Sequence, residues 1–87
     1  MIDVKTKKLA EILKALGHPT RLALAKGLLK QECNVNKMVD GLNIPQATVS
    51  QHLSVLKAAK IIKGERRGVR ICYQVVDPLV RKILSST

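Results

Sequence analysis

The sequence predicts a mainly α (α+β) fold of five helices and one two-stranded hairpin, in the order ααααββα. Three observations carry that prediction. Apolar residues recur at helical spacing up to about Lys60, alternate through Val76, and return to helical spacing after Asp77. Pro19, Pro45 and Pro78 each stand where a first helical turn tolerates the missing N–H. Gly and Asn punctuate the segments between. No internal repeat, low-complexity tract or linker interrupts the 87 residues, so a single domain over 1–87 is expected.

The first helix is expected from about Thr6 to Leu16, with Leu9, Ile12, Leu13 and Leu16 on its apolar stripe. Gly17 can end it with a positive φ. Pro19 opens a second helix running through Leu22, Ala25, Leu28 and Leu29 to about Lys30. Asn34 is a suitable N-cap for a third, whose buried face is Val35, Met38, Val39 and Leu42. Gly41, Asn43 and Pro45 form a tight turn into a fourth, Pro45 to about Ala58, with Val49, Leu53 and Leu56 inward. Ile61 to Arg66 and Val69 to Val76 read as strands around an Arg67-Gly68 turn. In the second strand Val69, Ile71, Tyr73 and Val75 share one face, and Arg70, Cys72, Gln74 and Val76 the other. Asp77 caps a last helix whose stripe is Val80, Ile83 and Leu84. A basic hairpin directly after a helix-turn-helix is a winged helix.

Composition narrows the function. Sixteen Lys and Arg face six Asp and Glu, a net charge of +10. The charge is spread along the chain, so a folded basic surface with a polyanionic partner is expected beside the plainer reading of a solvated basic protein. Phe and Trp are absent and Tyr73 is the only aromatic residue. The thin aliphatic core favours packed helices and oligomerisation. No apolar run approaches a membrane span, and the N-terminus lacks a signal peptide's apolar core. With two cysteines and no export signal, a cytoplasmic location and free thiols are expected. His18 and His52 have no evident ligand or nucleophile neighbour, and no nucleophile–base–orienter set can be assembled. Neither an enzyme nor a cofactor is expected.

Four segments together resemble the ArsR/SmtB family of small bacterial winged-helix repressors. LGHPTRL at Leu16–Leu22 resembles the opening of its second helix, and CNVNKMV at Cys33–Val39 its third. IPQATVSQHL at Ile44–Leu53 resembles its recognition helix, and GERRGVRICYQV at Gly64–Val75 its wing. The resemblance implies a homodimer on double-stranded operator DNA that leaves when an inducer binds. It places the dimer on the first and last helices, at Leu9, Ile12, Leu13, Val80, Ile83 and Leu84. Gln46, Ser50, Gln51 and Thr48 are the candidates for base contacts, with Thr48 lying toward the backbone. His52, Lys57, Lys60, Arg66, Arg67 and Arg70 are the candidates for backbone contacts, which position the protein without specifying sequence.

The family's metal sites are not expected here. Its interface site needs Asp and His two residues apart at the start of the last helix; Asp77 is present but Leu79 takes the second place. The chain stops at Thr87, short of a distal ligand pair, and Val35 and Asn36 stand where a Cys-x-Cys cluster would continue. Asp77 is better read as a helix cap. Cys33 and Cys72 remain. In many winged helices the segment before the third helix pairs with the second wing strand, which would bring these cysteines together as a thiol sensor. Two unrelated buried thiols are the alternative. Oxidants, reactive sulfur and arsenicals fit such a sensor, and the inducer is unknown. A regulator without small-molecule input, and a winged-helix module that binds protein or RNA, are the rival functions.

Overall fold

The computed structural model describes residues 2–30, 40, 41 and 43–86. Helix α1 spans Val4–Leu16. It starts earlier than the apolar stripe indicated because Asp3 caps it, its carboxylate accepting the Thr6 N–H at 2.7 Å. That bond holds the Asp3 carboxyl below its ordinary pKa. Gly17 does not end the helix with a positive φ: its φ is −76° and its N–H donates to the Lys14 carbonyl. Glycine suits the site sterically, since a Cβ there would lie 3.2 Å from the Leu13 carbonyl oxygen.

Helix α2, Pro19–Lys30, is the hub. It packs against α1, the later helices and the hairpin, and buries Leu24, Ala25 and Leu28 completely. Of the residues expected on its apolar stripe, Ala25 and Leu28 are buried and Leu29 packs against the core, whereas Leu22 is 37% exposed and Leu24 faces the core in addition. A helix packed on several sides has no single wet face for periodicity to locate.

The expected third helix on Val35, Met38, Val39 and Leu42, with its Asn34 cap, lies outside the described residues, although Asp40 and Gly41 are helical. Four helices of regular length, not five, therefore stand among the described residues. Asn43 takes φ 54° in the turn that follows. Asn accepts this left-handed conformation more readily than most residues. Helix α3 spans Gln46–Ala58, with Pro45 outside as N-cap at ψ 145°. Val49, Leu53 and Leu56 face the core, in the phase the sequence predicts.

The end of α3 is a Schellman turn. Lys60 takes φ 60° and its N–H donates to the Lys57 carbonyl. The Ile61 N–H donates to the Leu56 carbonyl at 3.0 Å, and both side chains are fully buried. That pattern satisfies the last helical carbonyls and sets the chain's exit direction.

Strands β1, Ile62–Arg67, and β2, Arg70–Val75, form an antiparallel hairpin. The register pairs Ile62 with Val75, Gly64 with Tyr73, Glu65 with Cys72 and Arg67 with Arg70. The turn is Gly68-Val69, one residue later than expected, because Gly68 supplies the positive φ of 66° that a two-residue turn requires. The root of the hairpin meets the core, with Ile62 and Val75 buried and Tyr73 packed against it from mid-strand, while Ile71 is 52% exposed. Cys72 is buried on the opposite face. Helix α4, Pro78–Ser85, follows with Asp77 as its cap, accepting the Val80 N–H at 3.0 Å. Its Arg81 donates to the Val75 carbonyl at 2.8 Å. Among the described residues no helix is long and apolar enough to cross a membrane.

Candidate nucleic-acid interface

Burying Val49, Leu53 and Leu56 leaves the rest of α3 to solvent. Gln46, Ser50 and Gln51 are exposed, and Thr48 and His52 are half-buried at the edge of that face. The Ser54 hydroxyl is tied to the Ser50 carbonyl at 2.9 Å, so it does not compete for the front. The arrangement presents two amide side chains and one hydroxyl on a rigid helix. Amides can form paired hydrogen bonds with a base edge, adenine above all.

Basic side chains flank this face. Lys57 places its ammonium 5.9 Å from the centroid of the Tyr73 ring, which connects α3 to β2. Tyr73 lies over Gly64, where a Cβ would meet its ring at 3.3 Å. Lys60 and Arg66 are exposed. Arg67 is half-exposed and pairs with Glu65 at 3.3 Å. Arg67 and Arg70 stand opposite each other at the hairpin tip. Like charges directly opposed on a hairpin are destabilising unless an anion lies between them. Val69, at the turn, is 98% exposed.

The structure adds Arg21, which the sequence did not single out, and gives His18, for which the sequence showed no neighbour, a place beside His52. His18 and Arg21 come from the start of α2 and meet His52 of α3. The His18 and His52 ring centroids are 4.7 Å apart at 48°. The Thr20 N–H donates to His18 Nδ1 at 3.1 Å. Desolvation pulls the His52 imidazole below its ordinary pKa, and the charges of His18 and Arg21 push it the same way. The signal was within LGHPTRL, but nothing in that motif tells which helix its side chains would face.

Cys72 is 1% exposed and disulfide-bonded. That departs from the free thiols expected for this chain. Cys33, the only other cysteine in the sequence, lies outside the described residues. The expected dimer residues divide into two groups. Leu9 and Leu13 are 39% and 52% exposed, and Ile12 and Ile83 are half-buried. Val80 and Leu84 are 0% and 4% exposed within the chain itself, so they support α4 from inside and offer no surface. Leu79, at 42%, is the exposed apolar residue of that helix. Among the described residues no three His, Cys, Asp or Glu side chains gather as metal ligands.

Residues 18–63 match the family described as bacterial regulatory protein, arsR family. Over 67 residues the chain is 43% identical to the HTH-type transcriptional repressor SmtB of Mycobacterium tuberculosis, a match covering 77% of this chain and 50% of SmtB. It thus spans about half the length of that relative. It is also 43% identical over 81 residues to the HTH-type transcriptional regulator MJ1325 of Methanocaldococcus jannaschii, covering 92% and 91% of the two chains. The fold superposes on the crystal structure of the transcriptional repressor PagR of Bacillus anthracis with a TM-score of 0.83, at 36% identity over 94% of each chain. A helix bearing two glutamines beside a basic hairpin, in a chain with these relatives, identifies its lineage: the protein belongs to the ArsR/SmtB family of winged-helix transcriptional repressors.

Proposed function

We propose that the chain binds operator DNA as a homodimer, represses transcription there, and releases DNA when a thiol-directed signal acts on Cys33 and Cys72. The observation that carries the reading is the division of α3, with Val49, Leu53 and Leu56 buried and Gln46, Ser50 and Gln51 exposed beside an arginine-tipped hairpin. Gln46, Ser50, Gln51 and Thr48 read bases; His52, Lys57, Lys60, Arg66, Arg67 and Arg70 hold phosphates. Exposed Leu9, Leu13 and Leu79, with half-buried Ile12 and Ile83, support pairing through α1 and α4.

The thiol signal has a short route to the reading helix. Cys72 precedes Tyr73, and the Tyr73 ring meets the Lys57 ammonium of α3. A change of the bond at Cys72 displaces β2 and hence this contact. The operator-binding form is then the reduced one, and the bonded Cys72 belongs to the released form. As inducer, an oxidant or a reactive sulfur species takes two electrons and two protons from the pair of thiols as the S–S bond forms. A thiol-binding arsenical would instead bind the two reduced thiols.

A mobility-shift assay on the protein's own promoter region, at several salt concentrations, tests the reading. Neutralising roughly 6–10 phosphates gives a log–log salt slope of about −5 to −9. An affinity indifferent to salt, or a preference for RNA over duplex DNA, would overturn it. Release by oxidant that persists in a Cys33→Ser, Cys72→Ser double variant would remove the thiol signal while leaving operator binding in place.

A further inference from the structure

An open groove of about 320 Å³ lies between α1, the first turn of α2 and the second half of α3. Its floor is made of short apolar side chains, Ala15, Val55, Ala58 and Ala59. Lys14 and Arg21 stand at its edge. Glu11 is the one carboxylate among the lining residues, so two cations face one anion. None of these residues belongs to the DNA-reading set above.

Arg21 supplies a second, independent observation. Its Nε–H is buried and has no acceptor, alone in this among the side-chain atoms of the described residues. Closed to water-sized groups, that N–H is not itself open to a groove occupant, and Arg21 meets the groove through the rest of its side chain. The Arg21 charge acts on His52 in the same direction as that of His18, and Glu11 is the one carboxylate among the groove's lining residues.

We propose that the groove binds a small apolar monocarboxylate, its carboxylate on Arg21 and Lys14 and its hydrocarbon on Ala15, Val55, Ala58 and Ala59. An inorganic anion would satisfy the cations and leave the apolar floor wet. An uncharged apolar molecule would cover the floor and leave Lys14 and Arg21 with Glu11 as the one carboxylate beside them. Only a molecule with both parts meets both observations. The groove's open volume of about 320 Å³ leaves room for an acid the size of octanoate. Because α3 forms one wall, an occupant presses on the helix that carries Gln46, Ser50 and Gln51. That consequence for DNA rests on the function proposed above, whereas binding itself does not.

The test is calorimetric titration of the full chain, without DNA, using octanoate, octanol, octylammonium and inorganic phosphate as probes. The His52 ring is followed by NMR in parallel. Octanoate should bind saturably and raise the His52 pKa. Octanol should bind weaker by about tenfold or more, the loss expected when a charge-assisted hydrogen bond is absent. Octylammonium should not bind. Arg21→Gln should weaken octanoate by about tenfold or more and leave octanol unchanged. Ala58→Leu, at an exposed helix position, should fill the floor and weaken both. Octanoate binding no tighter than octanol, phosphate binding as tightly as octanoate, or octanoate binding that survives Ala58→Leu would each overturn the site. Should Arg21→Gln fail to fold, the probe comparison on the unaltered chain and the Ala58→Leu variant still decide. With no DNA in the titration, its failure is read separately from a failed operator assay.

Discussion

The imidazole of His52, on the reading helix, lies 4.7 Å from that of His18 at the mouth of α2. Two groups that both acquire positive charge are thus held together beside Arg21, and burial already disfavours the charged form of His52. The folded chain therefore takes up fewer protons here than the unfolded chain does. The sign follows. The stability this site contributes is complete above the ordinary His value of 6.5, and is lost as pH falls from there through the depressed folded value. Urea denaturation between about pH 8 and pH 5 should show stability declining with acidification, and His52→Asn should flatten the decline. A DNA phosphate near His52 has the opposite preference, so operator affinity should rise over the same range in the unaltered chain. A pH-independent midpoint would refute the depressed imidazole.

Lys60 carries two separable effects. Its φ of 60° is one that L-residues adopt at a cost, and glycine does not. Lys60→Gly should raise folding stability by about 1 kcal/mol in thermal or chemical denaturation. The same change should weaken binding to all duplexes and flatten the salt slope by about 1 if the ammonium holds a phosphate. Lower stability in the variant would show that the lysine side chain, not the turn, matters at this position.

Reading and positioning should come apart at Gln46 and Arg67. Gln46→Ala should relax preference at one base pair by roughly 1–3 kcal/mol. Arg67→Ala should weaken operator and random DNA alike, again with a slope smaller by about 1. Selection from a randomised duplex pool, run on both variants, distinguishes the two. Equal losses on operator and random DNA for Gln46→Ala would contradict the assignment.

Leu13 is half out in solvent and Leu28 is wholly buried, so their substitutions should fail differently. Leu13→Glu should keep its helical circular dichroism, sediment as a monomer and lose operator binding. Leu28→Ala should cost about 2–5 kcal/mol of folding stability, a large share for a chain of this size. A dimeric Leu13→Glu protein would place the interface elsewhere.

Legibility in the sequence followed how each element is packed. Helix α3 has one buried face, and Val49, Leu53 and Leu56 could be phased from spacing alone. Helix α2 is enclosed by neighbours, so the choice between Leu22 and Leu24 was not encoded in any period. The hairpin's alternation broke down because Cys72 and Val75, three residues apart, are both buried, on opposite faces. The turn shifted by one residue because the Arg66-Arg67-Gly68 run has no apolar marker to fix register. Val80 and Leu84 marked an apolar stripe correctly, but a stripe does not say whether its cover comes from the same chain or another. Asp3 could have been found from its residue type and position before α1. The meeting of His18, Arg21 and His52 could not, since it exists only once α2 and α3 have packed.

Ile61 is held from both sides. Its N–H donates to the Leu56 carbonyl of α3, its carbonyl accepts the Val76 N–H beyond β2, and its side chain is fully enclosed. Helix α3 and the root of the hairpin are therefore joined at one residue, so any movement of β2 must occur beyond that root. If the chain binds an operator as proposed, a root fixed in this way should pass part of the adjustment to the duplex, which would bend or narrow a groove to meet helix and hairpin together. The energy of that deformation depends on base steps no side chain touches, so flexible pyrimidine–purine steps between the contacted positions should be favoured without being read.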